Sequence, residues 1–467
     1  MTHPALGQGS GDEIDREIQA LLQDSERISP ASESGARLVA PAPSGTTAVE
    51  GSVSRPGRVA SRFGQRAGGG SDDLVRDQEP VRRLGREDRS VATPLNERSV
   101  PWLGRQQRKE RYEAKKQSKK YEATIRAGVE FDDNVFIASR NKVSDIVTSL
   151  GASFRANHGD VDDREDSYLI VAYSPSFKAY VDSSSENSLD HELSASGKKK
   201  RSKASFEFDS RISRANATIV DAGGRDTALQ VDASVRATYD WSERTSVSLG
   251  LSAGLIDYDD FLDSMRVDTD FFLSHRISEK TALRGGVRVG YLDIDESESM
   301  QFGQVFGGVN VQIAGKLTFD GELGLDYRFL DRGNHADAYY RFSLAYQKSE
   351  GTRFTADTYR RVAASAFSTG TARTETGFNL GWNQRLTKRF NLETAIGYEN
   401  NRHFRTDSGA AGSNRDDDFF YFSTRLNYSF NDHWSADLFY RYAQNDSSSD
   451  SLSFERNRIG LSVNRTF

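Results

Sequence analysis

The chain contains no cysteine, so neither a disulfide nor a thiolate metal site is possible. No stretch approaches the ~20 consecutive apolar residues that a membrane-spanning helix needs, which excludes a helical membrane protein. A barrel escapes this exclusion, because its strands turn only every second residue to lipid and keep a low mean hydropathy. Proline is scarce in most of the chain: eight of the nine lie at or before Pro101, and the only later one is Pro175. Proline cannot donate to a strand ladder, so this long proline-poor region suits extensive β pairing. The opening MTHPALGQGSGDEIDREIQALLQDSERI has neither a basic start nor an apolar run of about 7–15 residues, so it shows no secretory signal.

Charge divides the chain in two. Residues 1–120 carry 21 Lys+Arg against 17 Asp+Glu, and residues 121–467 carry 41 against 51. The first part reads as a low-complexity, largely disordered tail, since PAPSGTT and RPGRVASRFGQRAGGGSDD offer little apolar surface to offset chain entropy. A short amphipathic helix is expected over 12–28, where Ile14, Ile18, Leu21 and Leu22 share a face. The run RQQRKERYEAKKQSKK (105–120) holds eight basic and two acidic residues. It reads as a solvated linker, with contact to anionic headgroups, peptidoglycan or a periplasmic partner as the alternative.

From Tyr121 the apolar period is two. Over 245–256, Val247, Leu249, Leu251, Ala253 and Leu255 alternate with Ser246, Ser248, Gly250, Ser252 and Gly254. About 18 such segments fill 121–467, the first at 121–131, the fifth at 203–213 and the last at 454–467. Short connections (Ser242-Glu243, Ser278-Glu279, Gly315, Ser349-Glu350, Thr387, Asn431-Asp432) alternate with longer ones such as DYDDFLDS and RTDSGAAGSNRDDD. That alternation, with segments of ten or more residues, predicts a closed antiparallel transmembrane β-barrel of the bacterial outer membrane. Short turns and both termini then face the periplasm. A soluble sandwich or propeller would alternate too, but with shorter strands and no such regular loops.

Aromatics gather near the expected periplasmic ends, at Tyr239, Trp241, Phe319, Phe390, Tyr428, Phe430 and Trp434, where amphipathic rings favour headgroup depth. The chain ends on Phe467 preceded at alternating positions by Val463, Leu461 and Ile459, which looks like the C-terminal signal read by barrel-assembly machinery. Arg465 departs from that pattern. The string Asp132-Asp133-Asn134-Val135-Phe136 at the exit of the first strand resembles the opening of a family of outer-membrane β-barrel porins often encoded in exopolysaccharide operons. Over 121–467 the resemblance implies a channel, with a link to polysaccharide export, and no catalytic residues.

The faces expected to point inward carry both signs of charge. Candidate lumen-lining residues are Arg126, Arg155, Arg211, Asp232, Arg236, Asp268, Arg284, Arg288, Asp320, Glu322, Asp326, Arg328, Arg341, Asp357, Glu393, Arg425, Asp437, Arg441 and Arg458. Charge at bilayer depth survives only facing water or paired inside protein, so these residues either select solute or brace the wall. Inward glycines (Gly250, Gly254, Gly286, Gly290, Gly324, Gly381, Gly460) would keep the lumen open or permit curvature.

No cofactor or metal site is expected. The acidic strings at 257–263, 293–298 and 416–418 lack the spacing of a Ca²⁺ loop, and Gly223-Gly224 is loop sequence without the pattern of a phosphate-binding loop. His191, His275 and His433 show no pairing with a serine that would mark a hydrolase. Nucleic acid is not an expected partner of an acidic barrel whose aromatics face lipid. The expected partners are outer-membrane lipid and a polysaccharide or small polar solute. The leading expectation is a non-enzymatic channel associated with exopolysaccharide export, then a general porin; the alternative is a structural or adhesive barrel working through its loops or tail. The tail is too polar to form a packed plug.

Overall fold

The computed structural model describes residues 120–467 apart from 160–166, 296, 298, 314–315, 331–332, 368–370 and 407–414. The tail, its expected helix and nearly all of the basic run at 105–120 lie outside the described residues. Eighteen strands follow in order. The first six are β1 (Tyr121–Asp132), β2 (Asp145–Gly159), β3 (Ser167–Tyr180), β4 (Ser188–Arg201), β5 (Ala204–Ile219) and β6 (Gly224–Asp240). Next come β7 (Thr245–Tyr258), β8 (Ser264–Ser278), β9 (Thr281–Ile294), β10 (Met300–Ile313), β11 (Leu317–Phe329) and β12 (His335–Ser349). The last six are β13 (Thr352–Ala364), β14 (Thr371–Arg385), β15 (Phe390–Arg405), β16 (Asp416–Ser429), β17 (Trp434–Ser447) and β18 (Phe454–Thr466).

Each strand pairs antiparallel with its sequence neighbours, and β1 also pairs with β18, as in Thr124↔Thr466, so the sheet closes with no free edge. Closure removes the unpaired backbone groups that forbid open sheets in hydrocarbon. Pro175 marks the one break in the β2–β3 ladder, which steps from Gly151↔Ser176 to Phe154↔Tyr173, as expected of a residue with no N–H to donate.

The two ends of the barrel differ. At the turn end, short connections are closed by a side-chain acceptor at their first residue. Ser242 Oγ accepts from Arg244 N and Thr245 N, Thr387 Oγ1 from Arg389 N and Phe390 N, and Asn431 Oδ1 from His433 N and Trp434 N. These side chains substitute for a backbone turn, which is why Ser, Thr or Asn opens each of those three connections. At the loop end the connections are longer and rich in aspartate.

The alternation read from the sequence sets inside from outside. Val305, Leu323 and Leu325 are 64, 57 and 66% exposed on the outer surface, while their neighbours Gln304, Glu322 and Asp326 are buried within. Apolar exposure of this extent around a whole molecule is untenable in water. The greatest departure from the sequence expectation is β5, which runs to Ile219 rather than 213. Its extra residues fold inward at the loop end of the barrel.

Candidate functional site

Among the described residues, the extensive polar surface that the fold sequesters is the barrel interior, and its side chains are held in three recurring ways. The first is direct pairing between neighbouring strands. Arg211 pairs with Glu192, Arg458 Nη1 lies 3.5 Å from Glu130, and Arg341 Nη2 lies 3.9 Å from Glu322. Arg328 grips Asp326 on its own strand at 2.9 Å, and Gln304 Nε2 donates to the same carboxylate at 2.6 Å. Arg126 donates to Asn464, which donates to Asp437, which also accepts from Asn427. Asp232 accepts from Gln230, Glu393 from Asn383 and Asn391, and Arg155 donates to Asn157. Asp357 is half-buried and Arg425 buried on the same inner surface.

The second is a bridge across three strands. Arg236 on β6 sits in register with Gly250 on β7, which sits in register with Asp270 on β8, and the guanidinium reaches over the glycine to hold Asp270 through two bonds of 3.1 Å. The same arrangement recurs with Arg284, Gly308 and the β11 carboxylates: Arg284 Nη2 lies 2.7 Å from Asp320 and 3.1 Å from Glu322. A Cβ at Gly250 would stand 2.6 Å from Asp270 Oδ1, and one at Gly308 would stand 2.8 Å from Arg284 Nε. Only glycine leaves room for the crossing.

The third is a ring seated on a glycine. Phe302 lies in register with Gly290, Phe306 with Gly286 and Gly324, Tyr421 with Gly397 and Phe439 with Gly460. The rings of Phe302, Tyr421 and Phe439 occupy the space that a side chain on their glycines would take, while a Cβ at Gly286 or Gly324 would meet strand backbone and the Cβ of Phe272 or Phe306. Arginines then stack on these rings: Arg328 on Phe302 at 4.5 Å, Arg288 on Phe306 at 5.7 Å, Arg441 on Phe439 at 4.7 Å, and Arg236 on Phe272 at 5.0 Å. Arg288 also donates to Gln304 and lies 3.6 Å from Asp268.

Two sequence expectations need correction here. The inward glycines Gly250, Gly286, Gly290, Gly324 and Gly460 do not hold space open; neighbouring side chains or backbone fill it. Nor do all aromatics face outward, since Phe272, Phe302, Phe306, Tyr339, Tyr359, Phe419, Tyr421 and Phe454 are buried inside. The signal was present: Phe272 has the same parity as Asp268 and Asp270, and Phe439 the same as Asp437 and Arg441.

At the loop end two hairpin tips pack together inside the barrel. Residues 217–222 and 362–366 are each buried in an unbroken run, which an alternating wall strand cannot produce. These are the tips of the β5–β6 and β13–β14 hairpins, which arise from opposite walls, fold inward and meet. Asp221 Oδ2 accepts from Ser365 Oγ at 3.0 Å and Ala366 N at 2.7 Å. An apolar cluster beneath them joins Ile219 and Ala222 to Ile256, Leu292, Met300, Val362 and Ala364, and so spans the barrel. The inward charges of the sequence imply a polar interior; the loop end also holds a packed apolar cluster.

A third segment wedges in beside them. The β1–β2 loop buries Val135 and Ile137, the latter in the left-handed region (φ 48°) that a β-branched residue adopts only under packing constraint. Asp132 receives Arg456 at 2.6 Å, Asp133 accepts from the Asn457 backbone and side chain, and Asn134 Nδ2 donates to Glu455 O. The Asp-Asp-Asn string therefore ties this loop to β18. Val135 O in turn accepts from Arg225, just past the β5–β6 tip.

Asp221, His403 and Asp417 bring potential metal-ligand atoms within 4.8 Å of one another. The same carboxylates already receive Arg415 Nη2 at 2.7 and 2.6 Å, and Arg373 Nη1 lies 2.8 Å from Asp221. A divalent cation would stand against two guanidinium groups, so the trio fits an ion-pair latch and not a metal centre. His191, His275 and His433 lie elsewhere, at Tyr173, Thr245 and the Thr466 carbonyl.

Neither a protein-family model nor a curated protein matches the chain. Solved structures do. OpdK of Pseudomonas aeruginosa, determined with vanillate, aligns at TM-score 0.40 and 10% identity over 74% of this chain and 99% of its own. OccAB4 of Acinetobacter baumannii aligns at 0.40 and 10%, over 75% and 99%. The siderophore receptor PirA of P. aeruginosa aligns at 0.39 and 9%, over 75% and 80%.

At the C-terminus, Ile459, Leu461, Val463 and Phe467 are all exposed on the outer face. Arg465 shares that face because its guanidinium lies between two rings, 5.3 Å from Trp434 and 4.5 Å from Phe467.

Proposed function

We propose that this barrel is a non-enzymatic outer-membrane channel for small polar solutes whose loop-end mouth is a closed gate. The observation that carries the reading is the inversion of polarity: exposed leucine, valine and phenylalanine outside, arginine and carboxylate inside, in a sheet without edges. In this reading the short turns and both ends of the strand series face the periplasm, and Ile459, Leu461, Val463 and Phe467 are what the assembly machinery grips.

The lumen's arginines are set against aromatic faces and carboxylates, so a passing solute meets a wall of fixed alternating charge. The two hairpins meeting at Asp221 must part before a solute crosses. Carriage of an exopolysaccharide rests on the resemblance at Asp132–Phe136 alone. An extended polymer would need the Ile219–Val362 core displaced altogether, which favours small solutes.

Planar-bilayer recording tests the reading. Wild-type protein should rest in a low-conductance state with brief openings, and Asp221→Ala should raise the open fraction at least about tenfold, since removing one partner of a buried ion pair costs ~3–5 kcal/mol. The closed mouth also favours a structural or loop-displaying barrel. That second reading predicts silence from both proteins, and such silence would defeat the channel.

A further inference from the structure

We propose that the turn end of the barrel carries a docking surface for anionic phospholipid headgroups, such as phosphatidylglycerol, in the leaflet that surrounds it. The inference rests on the membrane reading above and adds a lipid class to it. Of the six connections at this end from β4–β5 to β14–β15, five hold an exposed Lys or Arg (Lys203, Arg244, Lys280, Lys316, Lys388 and Arg389), and beside the sixth Lys348 is exposed near the end of β12, as Arg201 is at the end of β4. Three of those connections also hold a glutamate (Glu243, Glu279, Glu350), and this arc of the rim keeps a net positive charge. The loop end has the opposite character, with Asp133, Asp182, Asp257, Asp259, Asp260 and Asp450.

A second observation places the rim at a membrane surface. Outward rings lie one or two residues from it along the strands, with Tyr239 51%, Trp241 71% and Phe206 55% exposed and Phe354 stacked on Trp382. Amphipathic rings settle at headgroup depth, so the lysines beyond them stand level with lipid phosphates. Basic residues near an anionic surface contribute ~1 kcal/mol each, within a Debye length. Ser278 Oγ accepts from Lys280 N and Thr387 Oγ1 from Arg389 N, so the backbone that carries these charges is held in place.

The test compares the full chain with the quadruple variant Lys203→Gln, Lys280→Gln, Lys316→Gln, Lys388→Gln, each folded into phosphatidylcholine vesicles with and without phosphatidylglycerol. The folded fraction is read from heat-modifiable gel mobility across a urea series. Wild-type protein should gain stability from phosphatidylglycerol at low salt, and the gain should vanish at high salt. The variant should lose at least about tenfold of that preference while folding normally in phosphatidylcholine. Lys142→Gln, a change at the loop end, should retain the preference in full. Equal stability of wild-type protein in both lipids, or a preference unchanged in the quadruple variant, would overturn the docking surface and leave the channel reading standing. Failure of wild-type protein to enter either vesicle would remove the membrane reading and this proposal together.

Discussion

At the scale of single residues, glycine is the position to probe. Gly324 faces the Val305 carbonyl and Phe306, and any side chain there would have to displace backbone. Gly324→Ala should therefore destabilise by ~1–3 kcal/mol, as overpacking does elsewhere. Gly303 lies on the neighbouring strand with outward parity, and a Cβ added there would meet nothing within 4 Å. Gly303→Ala should be neutral or slightly stabilising in the same urea series. Alternation sets Gly324 inward and Gly303 outward, but the sequence does not show what stands against each. Those contacts come from the cross-strand register, and alternation within one strand says nothing about its neighbour.

Asp263 gives a pH test at the same scale. Burial, then the nearby charges of Asp257, Asp295 and Asp226, hold its carboxyl above the ordinary value of 3.8. The folded state thus binds the proton more tightly than the unfolded state, so this residue's contribution to stability rises as pH falls through the raised value and levels off below 3.8. Asp263→Asn keeps the oxygen that accepts from Tyr258 N. It should raise stability at neutral pH and flatten the dependence between neutral pH and the carboxylate range, as followed by thermal melting.

At the scale of elements, strands were easy and tips were hard. Period-two alternation located eighteen segments because hydrocarbon outside and polar groups inside impose opposite demands on successive residues. The same logic failed at ANATIVDAGG and VAASAF, which begin or end the two inward hairpins. Residues there are buried on both sides, so the alternation that marks a strand disappears where the inward tips begin. Small residues in both tips, Ala217 and Ala222 against Ala363, Ala364 and Ala366, allow the close approach. Shortening the β5–β6 tip by removing residues 220–223 and joining Ile219 to Arg225 through two glycines should unseat the Asp221 latch without breaking the ladder below. Conductance should rise, as expected for Asp221→Ala, and heat-modifiable mobility should be retained. The β1–β2 loop should respond differently. Asp132→Ala leaves Arg456 buried without its carboxylate and should cost ~3–5 kcal/mol, read as a lower urea midpoint.

For the whole molecule, the claim on which everything depends is that one face of every strand meets hydrocarbon and the other meets the interior. A chain without cysteine offers a direct measurement, since each introduced thiol is unique. Single cysteines placed along β7 at Ser248, Leu249, Leu251 and Ser252, labelled with a fluorophore and folded into vesicles, can be quenched by a nitroxide on the lipid chains. Strong quenching at 249 and 251 with weak quenching at 248 and 252 is the predicted result. Equal quenching at all four positions, or quenching that peaks on the serines, would contradict the account.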